Sequence, residues 1–164
     1  MNKPKEVKLV KTIIKTMRAG LTGTYILWEN GFLSWKELGD IDIFVHPDDA
    51  KKVWEICNLF GYETYEKDDH YDEYGHAMGV DGFKIKGEGL KTIHLHLTNK
   101  NATNFESLEV IDVLVGMLLR RRAKDIRFFE YFLENYGKIS DSAKRKYKKC
   151  LKTFEYNLKL EKLD

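Results

Sequence analysis

The stretch "GDIDIFVHPDD", residues 39–49, governs how the chain is read. Side chains alternate across a β-strand, so Ile41, Ile43 and Val45 fall on one face while Asp40, Asp42 and Phe44 fall on the other. An apolar face next to an acidic one implies a strand buried on one side only. Two carboxylates at this spacing repel each other, and burying an unpaired charge costs several kcal/mol, roughly, unless a cation or hydrogen-bond donors compensate. Either the acids face water at a sheet edge, or they share a partner. A divalent cation is the natural partner, because Mg²⁺ is commonly held by one or two carboxylates together with substrate phosphates.

Outward from this strand, Pro47 with Asp48 and Asp49 makes a helix start, and Val53, Trp54, Cys57 and Phe60 supply its buried stripe before a stop at Gly61. "YETYE" then predicts a short strand. Upstream, Val7, Val10, Ile14 and Met17 recur at helical spacing, predicting a helix over 4–18. "AGLTGTY" breaks it with two glycines, and "LWENGFLSWKEL" is expected to be a partly packed connection. Downstream, the polar, glycine-rich segment 67–90 has poor periodicity, with short strands expected near 76–80 and 83–85. "KTIHLHLTN" predicts a clearer strand, with Ile93, Leu95 and Leu97 on the core face and His94 and His96 opposite. Apolar spacing then predicts helices at about 106–121, 124–136 and 140–160.

The fold class expected is α+β: a small mixed sheet with flanking helices over residues 1–104, followed by a helical bundle over 105–164 packed on it. The 164 residues, 43% of them hydrophobic, suffice for a substantial core. No apolar run approaches the length of a membrane span and the Lys-rich start lacks the apolar core of a signal peptide, so a cytoplasmic protein with no membrane partner is expected. Cys57 and Cys150 form neither a disulfide framework nor a zinc box and are read as reduced, packed thiols. The net charge of +2 divides unevenly: +5 over residues 1–20, −10 over the middle and +7 over 117–164. Basic ends beside an acidic centre suit polyphosphate or nucleic acid flanking a metal site, and equally suit lysines on the solvated faces of amphipathic helices.

The order of these segments resembles the nucleotidyltransferase superfamily that includes the DNA polymerase β-like enzymes, and within it the small antibiotic and toxin-system members. "LTGTY" resembles that family's glycine turn, "GDIDIFV" its metal strand, "AKKVWEICNLFGYE" the helix and strand that follow, and "LLRRRAKDIRFFEYFL" the helical stretch after the catalytic part. The resemblance covers about residues 18–136. It implies a transferase that moves an NMP from an NTP such as ATP to a hydroxyl on a small molecule, RNA or protein. Asp40 and Asp42 would hold Mg²⁺ or Mn²⁺, and Gly23 and Thr24 would offer backbone amides to the phosphates. Gly-Thr departs mildly from the family's Gly-Ser or Gly-Gly.

The larger departure is the third acid, whose position falls on His94. Three explanations stand side by side. Asp81 or Glu88 supplies the carboxylate; His94 is a ligand or base in an altered site, imidazole suiting Zn²⁺, Mn²⁺ or Fe²⁺ better than Mg²⁺; or catalysis is lost and the binding of a nucleotide, RNA or protein partner is retained. His94 is expected beside the Asp40/Asp42 face, since both strands would point these residues out of the same side of one sheet. A hydrolase using His70, His76, His94 and His96 lacks a recognisable ligand spacing. In "RRRAKD", Arg122 or Lys124 either reaches the triphosphate or complements a helix dipole, and "KRKYKK" at 144–149 is either an RNA contact or a solvated helix face.

Overall fold

A computed structural model describes residues 3–69, 81–98 and 101–120, together with Phe128, Arg145 and Lys152. The elements run α1 (Lys5–Thr16), β1 (Ala19–Thr22), α2 (Thr24–Glu29), β2 (Ile41–Val45), a 3₁₀ turn (Pro47–Asp49), α3 (Ala50–Leu59), β3 (Thr64–Lys67), β4 (Gly82–Lys86), β5 (Ile93–Leu97) and α4 (Val110–Arg120). The chain divides into two compact units, residues 1–108 and 109–164. This is a mixed α+β architecture. Apart from Phe128, Arg145 and Lys152, which are helical, the expected helices at 124–136 and 140–160 lie outside the described residues, as do the strand at 76–80, Cys150, and the sites His70, His76, Arg122 and Lys124.

All five strands belong to the first unit and form one sheet in the order β1-β2-β5-β4-β3. β2 and β5 run parallel, and every other pair is antiparallel. The alternation read from the sequence sets the two faces. Ile41, Ile43, Val45, Ile93 and Leu95 are wholly buried, and Ile85 joins them from β4. Leu97, expected on the same core face, stays partly exposed at the end of β5. α1 lies beside α3 and β1 and contributes Val7, Leu9, Val10 and Ile13, so its stripe runs through Ile13 rather than the half-buried Ile14. α3 contributes Val53 and Cys57, and burial in this apolar setting pushes the Cys57 thiol up to about 12, leaving it an inert packing group.

"AGLTGTY" does break the first helix, but it holds regular structure of its own, and α2 takes in the start of the expected connection. Residues 19–22 form an edge strand, Gly23 turns the chain, and α2 begins at once, burying Tyr25, Ile26 and Leu27. Gly20 is needed here, because a Cβ would lie 2.2 Å from the ring of Phe44, its partner on β2. Downstream, the first C-terminal helix starts at Val110 rather than near 106. The preceding residues lie instead along the outer edge of β1: the Leu21 N–H donates to Ser107 Oγ (2.9 Å) and the Leu108 N–H donates to the Leu21 carbonyl (3.0 Å). This strap satisfies an edge that would otherwise present unpaired backbone groups.

Two polar ties fix the positions of the central strands. The Arg18 guanidinium and backbone N–H all donate to the Asp49 carboxylate (2.9–3.1 Å), joining the entry of β1 to the turn after β2. At the opposite end, the Lys91 N–H donates to the buried Glu6, Tyr62 Oη donates to the Lys91 carbonyl (2.6 Å), and the Ile41 N–H donates to the Thr92 carbonyl (2.9 Å). The second set locks the register in which β5 enters the sheet beside β2.

Candidate metal centre

Asp42 and His94 are direct partners in the parallel β2–β5 ladder, so both point out of the sheet face opposite the apolar core. His96 lies two residues further along β5 on the same face. The His96 Nε2 sits 2.9 Å from Asp42 Oδ1 and the His94 Nδ1 sits 3.4 Å from the same oxygen. The two imidazole centroids are 4.3 Å apart. One ligand atom from each of Asp42, His94 and His96 falls within 4.8 Å of the others, and all three residues are partly exposed. Among the described residues this is the one group of His, Cys, Asp and Glu side chains gathered closely enough to hold a metal ion.

The turn before α2 closes over this point. Thr22 pairs with Asp42 across the β1–β2 ladder, and Gly23 follows with φ +70° and ψ −158°, a conformation essentially reserved for glycine. A Cβ on Gly23 would lie 2.5 Å from Asp42 Oδ2. Glycine is thus required twice, for its backbone conformation and for the space that the carboxylate occupies. Thr24 is the first residue of α2 and partly exposed.

Burial opposes ionisation of Asp42, but hydrogen bonds and charge from His94 and His96 outweigh it and hold the carboxyl below its ordinary value. An ionised carboxylate flanked by two imidazoles is one oxygen donor with two nitrogen donors. That set fits a first-row divalent ion such as Zn²⁺, Mn²⁺ or Fe²⁺, and fits Mg²⁺ poorly, since Mg²⁺ takes oxygen ligands.

The structure does not bring all the expected residues together. Asp40 lies one residue before β2, is exposed, and is not a member of the group. The ladder begins at Ile41, and the alternation that would place Asp40 beside Asp42 has no strand to act on. Asp81 and Glu88, the proposed sources of a third acid, are both exposed, and Asp81 stands 3.9 Å from Lys67. The carboxylate that does reach the group is Asp68, just after β3: its Oδ2 lies 3.0 Å from the buried His94 Nε2. Sequence reasoning missed it because Asp68 opens a segment without periodicity, and only the order β5-β4-β3 brings the end of β3 back towards His94. Lys84, half-buried and opposite His94 on β4, was missed for the same reason.

Comparison of the chain with protein-family models, with curated proteins and with solved structures finds no match.

Proposed function

We propose that this protein is a metal-dependent nucleotidyltransferase whose ion is held by Asp42, His94 and His96, and whose polymerase β-like core is followed by a helical bundle. The observation that carries the reading is the convergence of those three side chains at a glycine turn that presses directly on Asp42. Of the two ions suggested by the sequence, Mn²⁺ suits the donor set better than Mg²⁺, with Zn²⁺ as the next choice.

In the reaction, the oxygen of an acceptor hydroxyl forms a bond to the α-phosphorus of an NTP as the bond from that phosphorus to the β-phosphate bridging oxygen breaks. Pyrophosphate leaves with the electron pair, and the hydroxyl proton passes to water. A bound divalent ion would neutralise charge on the phosphates and lower the pKa of the attacking hydroxyl. Asp42, His94 and His96 would hold that charge in place, Gly23 and Thr24 would let the backbone approach the phosphates, and Lys84 would offer a cation from the neighbouring strand. The acceptor is a hydroxyl on a small molecule, an RNA or a protein.

A second reading draws support from Asp42 itself. Its carboxylate already engages both imidazoles, and Asp40 stands outside the group, so a protein of this fold that binds a nucleotide, RNA or protein partner without transfer is the alternative. One experiment separates the two. Mn²⁺ with an NTP should raise the Tm of the wild type, since a ligand bound only by the native state stabilises it, and Asp42→Asn should abolish the shift. Radiolabel transfer from the NTP to a cell extract should fail in Asp42→Ala and weaken less in Asp40→Ala. A thermal shift without transfer favours the binding protein, and labelling that persists in Asp42→Ala overturns the assignment.

A further inference from the structure

We propose that Asp68 is the positioning residue of the metal centre: it accepts a hydrogen bond from the Nε2–H of His94, so that Nδ1 is the nitrogen turned towards Asp42 and available to the ion. The inference rests on the metal reading of Asp42, His94 and His96 and extends it to a fourth residue.

The geometry around His94 is two-sided. Each ring nitrogen has a different carboxylate beside it: Nδ1 lies 3.4 Å from Asp42 Oδ1 and Nε2 lies 3.0 Å from Asp68 Oδ2, a distance within ion-pair range although the ring is not aligned for a hydrogen bond. Nε2 is shielded from solvent, so water does not compete for that position. Asp68 is 8% exposed, and a carboxylate so deeply placed needs donors. Its location is fixed by the backbone: the Asp68 N–H donates to the Gly82 carbonyl (2.9 Å), and Gly82 pairs with His96 on β5. Asp68 is therefore tied to the strand between its own and that of the two imidazoles.

A metal-ligating histidine commonly donates its other ring N–H to a carboxylate, which fixes tautomer and ring orientation and makes the ligating nitrogen more basic. Asp68 stands where such a partner belongs and outside the group of atoms that converge on the ion. The arrangement assigns opposite tasks to the two acids: Asp42 shares the ion, while Asp68 holds the imidazole.

The test uses the full-length protein with ¹⁵N-labelled histidine and Zn²⁺, and Co²⁺ as a spectroscopic substitute. In the Zn²⁺-loaded wild type, the His94 ring should show a protonated Nε2 and a metal-bound Nδ1. Asp68→Ala should weaken Co²⁺ and Zn²⁺ binding by about 10- to 100-fold and shift the His94 ring nitrogens while leaving those of His46 unchanged. Asp68→Asn, which keeps an acceptor oxygen and the shape of the side chain, should recover part of the loss; it also serves if the alanine variant does not fold. A wild type carrying its proton on Nδ1, or an Asp68 variant that binds with unchanged affinity and unchanged ring signals, overturns the proposal. If the wild type binds neither ion, the metal reading fails, and the ion-free spectrum decides the role of Asp68: a downfield, hydrogen-bonded Nε2 proton lost in both variants retains it, and its absence from the wild type removes it.

Discussion

At the scale of single residues, the candidate centre depends on what is missing as much as on what is present. Gly23 occupies a backbone region that costs other residues of order 1–3 kcal/mol, and its absent Cβ leaves room for Asp42 Oδ2. Gly23→Ala is therefore expected to destabilise the fold by about 2 kcal/mol and to abolish ion binding, because the carboxylate must move or the turn must open. Urea unfolding reads the first effect and Co²⁺ absorption the second. A variant that loses stability but binds Co²⁺ as the wild type does would show that Asp42 can shift without leaving the centre. "LTGTY" singled out this glycine in the sequence. It did not disclose that the glycine touches Asp42, which depends on the antiparallel pairing of β1 with β2.

At the scale of elements, the strands were legible where alternation or β-prone residues marked them, as in β2, β3 and β5, and obscure in β1, where two glycines in "AGLTGTY" masked a buried edge strand. Alternation in "IDIFV" and "IHLHL" placed two imidazoles and one carboxylate on the polar faces of their strands, and the ladder then set Asp42 opposite His94. Neither Asp40 nor Asp68 follows that rule: the first precedes the strand and the second follows one, so local pairing decides their positions. The helix start read at Pro47, Asp48 and Asp49 is there, as a 3₁₀ turn that runs straight into α3, but the same limit hid its second role: the Asp48 N–H donates to His46 Nδ1, and Asp49 anchors β1. Arg18, by donating to Asp49, holds that carboxyl down at about 2, well below the usual carboxylate range. The sign follows from linkage. A depressed folded-state pKa contributes stability that is present above the unfolded value of about 3.9 and is lost as pH falls from there through about 2. Asp49→Asn should thus cost about 1.5 kcal/mol at pH 7, near the lower end for charged hydrogen bonds because Arg18 is half exposed. Urea melts should find that deficit shrinking between pH 4 and pH 2. An equal deficit at both ends would assign the loss to shape rather than charge.

At the scale of the whole molecule, every residue of the candidate centre and all five strands lie in the unit that ends at Leu108. Apolar periodicity places the start of the helical part near 105, because Leu108 and Ile111 fit one helical face. The chain uses residues 105–108 otherwise. Phe105 stacks on Phe44 with centroids 6.4 Å apart, Ser107 accepts from Leu21, and Leu108 donates back to it. These contacts brace the strand whose last residue pairs with Asp42, so the position of the boundary bears on the centre. A fragment of residues 1–108 is expected to fold and to bind Co²⁺ with the affinity of the full chain. A fragment of residues 1–104 gives up two hydrogen bonds and the ring contacts of Phe105 with Phe44 and His46, about 2 kcal/mol together, which for a domain of this size lowers Tm by roughly 10 °C. Circular dichroism melts of the two fragments measure that difference, and Co²⁺ titration shows whether freeing the edge of β1 loosens the Gly23 turn. Equal Tm values would mean that the strap only covers the edge, and that α2 and the β1–β2 ladder hold Asp42 in place without it.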